Sequence, residues 1–474
     1  MRKVFCLIFL AALAAGAAAA DISASAPQGI TLTVYDTGLA LARDLRRVDL
    51  PRGEVSVRFA QLPRTIQPET LSFSPPPNVS GIDVREQQVV YDLDSLQSMM
   101  RRYESRLLTV TTPAGTESGV LQPMQDTSGA FALRKNDGSV SVIPADKVMA
   151  VTFPDAGTQA FLEPALLWRA VVSTEGPQGI RLSYGLSDLS WRAAYELIME
   201  PGGTAGSLSG RAGILNRSGA DFSDARVRLV ATAGRGGADS AAALRYAYGW
   251  RHPSAGAAAT FPAPTGSFDL PQPVTLKNNE EKFVTFCSAP SIPVSRFYVY
   301  DGVQFDRFQR NRRNDWNYGT EYQTVVDQRL EFENKEQYGL GFGLLPGVFR
   351  LYERRGDGSV DLAGENRMDE VPAEGRGSVL LGPARGLRGE RERTGYSEVV
   401  PSRAYEETFE IRLENDTASE VEIRVVEHLY RWNNYEIVRA DAEYTETAPQ
   451  TIEFRPILKP GGRRAIHYTV RYSW

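Results

Sequence analysis

Between Phe305 and Tyr318 four aromatic residues, Phe305, Phe308, Trp316 and Tyr318, are interleaved with Arg307, Arg310, Arg312 and Arg313 and with Asn311, Asn314 and Asn317. Guanidinium groups grip carboxylates and phosphates through paired hydrogen bonds, and aromatic faces hold cations and flat rings. The segment therefore predicts a partner-binding loop, with Phe305, Arg307, Arg310, Arg312, Arg313, Trp316 and Tyr318 as its contact residues. An envelope protein or a glycan is the partner class that such a surface fits. The plainer alternative is a solvated hairpin tip whose aromatics cover a neighbouring sheet. A second cluster, Tyr430, Arg431, Trp432, Asn433, Asn434 and Tyr435, reads as packing at the end of a sheet.

The sequence carries none of the common catalytic patterns. There is no Gly-x-Ser-x-Gly elbow, no Ser three residues before any Lys beyond residue 20, and no Gly-x-x-x-x-Gly-Lys phosphate loop. His252, His428 and His467 lie far apart, without the His-x-x-x-His spacing of a zinc helix, and the last two read as surface or partner-satisfied side chains. Cys287, in Lys282-Phe-Val-Thr-Phe-Cys, reads as a buried free thiol in an apolar strand. No cofactor and no metal are expected. One catalytic alternative stays open, a periplasmic hydrolase whose carboxylates are brought together by the fold, because sequence spacing cannot reveal such a pair.

The elements that would position these residues are strands. Val55, Val57 and Phe59 alternate with polar residues after the turn Leu50-Pro51-Arg52-Gly53. Phe409, Ile411 and Leu413, then Val421, Ile423 and Val425, predict a hairpin, and Leu458-Lys459-Pro460-Gly461-Gly462 turns into the last strand. That strand, with Ile466, Tyr468, Val470, Tyr472 and a terminal Trp474, also resembles the closing strand of an outer-membrane β-barrel, the lesser alternative. Leu96, Met99, Met100 and Tyr103 predict one short helix. The polar interval 356–403 reads as irregular, apart from a short strand at Ser378-Val-Leu-Leu381.

The fold class expected is therefore all-β: multidomain β-sandwiches (Ig-like) with a small inserted SH3-like barrel. The organisation is a signal peptide (1–20), an N-terminal sandwich region ending in the helix (21–103), the small barrel (104–153), and the first part of a C-terminal sandwich module (154–233). A Gly/Ala/Pro-rich excursion (234–268) and the remainder of that module (269–474) follow. Arg2 and Lys3, the apolar stretch 4–15 and Ala18-Ala19-Ala20 predict export with cleavage after Ala20, to the periplasm or beyond. Without Arg2 and Lys3 the 53 basic residues become 51 against 58 acidic ones, a net charge of -7, which argues against nucleic acid as a partner. No later run is apolar enough for a transmembrane helix, and the single remaining cysteine allows no internal disulfide.

Ser183-Tyr184-Gly185-Leu186-Ser187-Asp188-Leu189-Ser190-Trp191-Arg192-Ala193-Ala194-Tyr195, Gly213-Ile214-Leu215-Asn216-Arg217-Ser218-Gly219-Ala220-Asp221-Phe222, the run 225–231, Leu270-Pro271-Gln272-Pro273-Val274-Thr275-Leu276, Leu344-Leu345-Pro346-Gly347-Val348 and the closing run 458–474 together resemble the domain-of-unknown-function family numbered 4139. More weakly, Thr33-Val34-Tyr35, Arg43, Leu50-Pro51-Arg52-Gly53 and Leu62-Pro63 resemble the N-terminal region of mucoidy-inhibitor-like envelope proteins. The resemblance implies an exported, sandwich-rich protein. It carries no catalytic residues over. Trp191 and Tyr195 within it read as core aromatics, and residues 216–219 as a turn.

Overall fold

A computed structural model describes residues 20–74, 81–90, 100, 103–122, 130–154, 164–232 and 263–474. Apart from two 3-10 turns, Ala145–Lys147 and Glu336–Tyr338, the named elements among them are all strands. The chain is all-β. Most of the helix expected at 96–103 lies outside the described residues, as do residues 1–19 of the signal segment and most of the excursion, 234–262. The excursion's last residues belong to a strand, Pro264–Asp269.

The chain divides into two compact units, residues 1–191, 214–265 and 269–282 in one, and 192–213, 266–268 and 283–474 in the other. In the first, a four-stranded sheet runs in the order Ala20–Ser23, Gly53–Phe59, Ala165–Val172 and Ile82–Val90. A second sheet orders Phe222–Thr232, Gly29–Tyr35, Leu39–Leu50, Gly176–Ser187 and Ile66–Ser74. Trp168 joins the two layers, its ring 4.6 Å from Phe59 in its own sheet and 4.9 Å from Phe73 in the other. Strict alternation along Leu39–Leu50 buries Ala40, Ala42, Asp44, Arg46, Val48 and Leu50. The charged pair is tolerated inside because Arg46 donates to both Asp44 oxygens and to the carbonyl of Ala60. Burial still raises the Asp44 pKa, against the lowering effect of Arg46.

The segment 104–153 forms its own antiparallel sheet, in the order Val140–Ile143, Phe131–Arg134, Gly115–Gln122, Leu107–Thr112 and Ala150–Thr152. The 3-10 turn Ala145–Lys147 precedes the last strand. Its two edge strands are not paired with each other, so the sheet is SH3-like in order but not a closed cylinder. Leu108, Val110, Leu121, Phe131, Leu133, Ile143 and Tyr103 form its core.

In the second unit, Val325–Glu333, Arg376–Val400, Ala404–Asn415, Arg463–Ser473 and Tyr435–Ala440 are successive neighbours in one sheet. Val421–His428 pairs with Thr451–Phe454 and, in parallel, with the end of Glu280–Asp301. Phe409, Ile411, Leu413, Ile423, Val425, Phe454, Ile466, Tyr468 and Val470 fill the core. The interval 356–403 is not irregular as expected, for Val360–Met368 and the 25-residue Arg376–Val400 are strands. The charges that disguised the longer strand are met across it, Arg412 reaching Glu392 at 3.0 Å and Glu390 at 3.4 Å. The last strand sits between two neighbours with Ile466, Tyr468, Val470 and Tyr472 buried, and no sheet closes into a barrel among the described residues. No described helix is long and apolar enough to cross a membrane.

One local device appears in both units. Asn216 is fully buried; its amide donates to the carbonyls of Ala220 (2.9 Å) and Leu276 (3.2 Å), and its oxygen accepts from Ser218. Asn415 does the same with Ser419 (2.8 Å), Leu458 (3.1 Å) and Thr417. Each asparagine ties the turn between two strands that do not pair with each other, so that no hairpin forms at 409–425 as expected, to a distant short strand that ends in Leu and is followed by Lys. This is why residues 216–219 form a turn, as the sequence indicated.

Candidate functional site

Asp301 ends one strand of the second unit and Val325 begins the next, leaving residues 302–324 without regular structure. The base of this loop is closed by a single Val303 to Tyr322 bridge, by Gln323 N donating to Gly302 O (2.8 Å), and by Tyr300 Oη donating to Gln323 O (2.8 Å). Tyr300 fits there because Gly302 and Gly389 lack side chains: a Cβ at either would stand 2.4 or 2.3 Å from its ring or hydroxyl. Asp306 and Asp315 accept from the amides of Phe308 and Asn317, turning the chain sharply twice.

A buried lattice of arginines and glutamates holds the loop from below. Arg431, 1% exposed, makes a bidentate pair with Glu407 at 2.9 and 3.0 Å. Its remaining N–H groups donate to the carbonyls of Arg312 (2.9 Å), Arg313 (3.3 Å), Asp315 (2.9 Å) and Tyr318 (3.0 Å). Arg393 pairs with the same Glu407 at 2.8 Å and donates to the Trp316 carbonyl. Arg391 pairs with both oxygens of Glu427, donates to Gly319 O at 2.6 Å, and lies 3.9 Å over the Phe409 ring. Tyr468 completes the set by donating to Glu427. Burial would lower the Arg391 pKa, yet the adjoining Glu427 charge holds it above its ordinary value; burial and the same charge push Tyr468 well up.

The seven contact residues expected from the sequence divide in two. Phe305 and Tyr318 are structural, their rings in tilted contact at 5.0 Å with Phe305 also edge-on to Tyr430 at 5.3 Å, and Tyr318 is buried. Arg312 is half-buried and caps the Arg307 carbonyl. Arg313 is half-buried between Trp432 (4.8 Å) and Trp474 (5.1 Å). Arg307, Arg310 and Trp316 face solvent, Trp316 60% exposed, and so does Phe308 at 74%. The Arg307 guanidinium stands over the Phe308 ring at 4.8 Å.

Beside the loop runs a ribbon of rings. Trp316 meets Tyr396 (6.4 Å), Tyr396 stacks on Tyr405 (5.4 Å), Tyr405 meets Trp474 (5.0 Å), and Trp474 meets Trp432 (6.4 Å). Arg393 and Arg313 lie over its members, so rings alternate with guanidinium groups. The two clusters singled out in the sequence thus meet, and Trp474 is a member of this ribbon instead of a lipid-facing terminus. An open cleft of about 710 Å3, lined by Asn433, Tyr435, Glu446 and residues 447–450, lies at the far end of the second cluster. The sequence missed Arg391, Arg393, Glu407, Glu427, Tyr396 and Tyr405; only the alternation Glu390-Arg391-Glu392-Arg393 hinted at them.

Other candidates are accounted for. His428 is satisfied by Asp301 at 3.1 Å and stacked on Tyr430, and His467 by Asp441 at 2.8 Å. His252 lies outside the described residues. Cys287 is buried, and desolvation pushes its thiol up to about 12, so it is a poor nucleophile. Trp191 and Tyr195 are core residues whose polar atoms donate to Val230 O and Leu345 O respectively. The buried carboxylates Glu407 and Glu427 are each held by arginine, as is Asp44.

Residues 180–474, which include this whole site, match the family model for a domain of unknown function, DUF4139. The chain belongs to the DUF4139 family. The match begins within the strand Gly176–Ser187, so the DUF4139 region takes residues from both units. No curated protein matches the chain.

Proposed function

We propose that this protein is a non-enzymatic binding module that presents the 302–324 loop and its aromatic ribbon to an envelope protein or glycan. The observation that carries the reading is Arg431, which commits every N–H group to one buried carboxylate and four loop carbonyls. An irregular loop held this way is ordered before it meets a ligand, which removes most of the entropy cost of ordering it on binding. Large aromatics left outside on such a scaffold, with Arg310 free of any ion pair among the described residues, have the chemistry of hot-spot contacts. Export with cleavage after Ala20 belongs to the same reading, supported by Arg2, Lys3, the apolar stretch and the small residues before Asp21. So does kinship with mucoidy-inhibitor-like envelope proteins, which the opening run through Leu62-Pro63 supports.

The test compares wild-type protein with a Phe308→Ala, Arg310→Ala, Trp316→Ala variant in pull-downs from envelope extract and on immobilised cell-surface glycans. These side chains point outward, so the variant should fold and lose the partner. Retention of every partner and glycan by the folded variant would refute the loop as the binding face. Turnover of a cell-wall or peptide substrate by purified protein would refute the non-enzymatic reading.

A further inference from the structure

The first unit carries a second surface with chemistry of its own. In the sheet that contains Gly29–Tyr35, the register places Arg226, Thr31, Arg43 and Ser183 side by side on four adjacent strands. Arg181 lies two residues from Ser183 on the same face and is level with Leu45 and Gly29. Neighbouring strands are about 4.8 Å apart, so the Arg43 backbone falls within roughly 10 Å of that of Arg226 and of Arg181, while the outer two are roughly 16 Å apart. All three side chains are exposed, on the face opposite the buried Leu32, Ala42, Leu182 and Val227.

Like charges set this close on a sheet repel, and the usual remedy is a cross-strand carboxylate. Two residues along from Arg226 that remedy is present, since Arg228 makes a bidentate pair with Asp269 at 2.7 Å. Arg43, Arg181 and Arg226 make no ion pair or side-chain hydrogen bond among the described residues. They line an open cavity of about 900 Å3 in which Asp224 is the sole carboxylate. Gly29 keeps its floor low, because nothing lies within 4 Å of where a Cβ would stand. Local charge is thus positive on a chain whose net charge is -5.

We infer that this cavity binds a ligand carrying two or more oxyanion groups, phosphoryl or carboxylate, gripped by Arg43, Arg181 and Arg226 with the hydroxyls of Thr31 and Ser183 as further donors. Guanidinium forks match both kinds of oxyanion, and spacing over three strands favours a multiply charged ligand above a single ion. The site uses none of the loop residues, so it stands or falls apart from the loop's role.

Isothermal titration calorimetry of the full mature chain at low salt tests it, with inorganic tripolyphosphate and citrate as the two probes and sulfate as the single-ion comparison. At least one of the two probes should bind more tightly than sulfate, and which one does so tells a phosphoryl from a carboxylate ligand. Arg43→Ala, Arg181→Ala and Arg226→Ala should each weaken that binding at least tenfold, Arg43→Lys less, and Arg228→Ala not at all. Circular dichroism of each variant should match the wild type, since these side chains are at the surface. No binding of either probe at millimolar concentration, or binding that all three alanine variants retain, would overturn the inference.

Discussion

Arg431 touches no solvent and yet decides what the solvent-facing part of the loop looks like, because four carbonyls of that loop have it as a donor. Arg431→Ala would leave Glu407 buried with only Arg393 and strip those carbonyls of partners. Breaking a buried pair from one side costs about 3–5 kcal/mol, so urea unfolding should show a loss of that size. A loss below 1 kcal/mol would mean that the lattice does not hold the loop. Of the seven residues that the sequence offered as contacts, the outward three were legible because Arg and Trp in a polar, turn-rich run imply a surface. The inward roles of Phe305 and Tyr318 were not. They depend on Tyr430 and Arg431, more than a hundred residues away, which no local pattern can bring near.

At the scale of elements, Asn216 and Asn415 are keystones of two turns, each joining strands that do not pair with each other. Replacing either with Ala takes the donor from a buried carbonyl, that of Leu276 or Leu458, and the acceptor from Ser218 or Thr417, and each unsatisfied buried group costs about 1–3 kcal/mol. Asn415→Ala and Asn216→Ala should therefore each lower stability by several kcal/mol, and Asn415→Asp should not restore it, since a carboxylate cannot donate to Ser419 and Leu458. Denaturant unfolding of the three variants checks this; wild-type stability in any of them would contradict it. The two strands around Asn415 were readable from period-two alternation on both sides of the turn, but their expected pairing into a hairpin was not borne out: Ala404–Asn415 pairs with Arg376–Val400 and Arg463–Ser473, and Val421–His428 with other strands. Arg376–Val400 was not, because its alternating residues are charges whose partners sit on the neighbouring strand, and alternation of Arg with Glu looks like solvated coil until the cross-strand Arg412 is known.

For the whole molecule, an all-β fold was legible from the density of short alternating runs and turn residues, while the joining of strands into long sheets depends on pairings across hundreds of residues. The same sheets bury ionisable groups, and this gives the chain an alkaline limit. Burial pushes Cys287 up to about 12 from 9.0, and raises Tyr184, Tyr195, Tyr468 and Tyr472 above their ordinary 10.0. A folded-state pKa raised above the unfolded value stabilises the fold fully below the unfolded value, and that contribution is lost as pH rises through the folded one. The denaturation midpoint should accordingly show no loss from these groups up to pH 9 and then fall between pH 9 and 12. Cys287→Ala should weaken the earliest part of that fall, and a midpoint unchanged up to pH 12 would show that these groups titrate as they do in water.

The account rests on an irregular loop being rigid before any ligand arrives, and hydrogen exchange of residues 302–324 in the free mature protein measures that directly. Amides bonded within the loop, those of Gln309, Asn314, Asp315, Asn317, Tyr318 and Thr320, should exchange slowly in the wild type. In Arg431→Ala they should exchange far faster while the strands Ala404–Asn415 and Val421–His428 stay protected. Fast exchange of these amides in the wild-type chain would contradict the account.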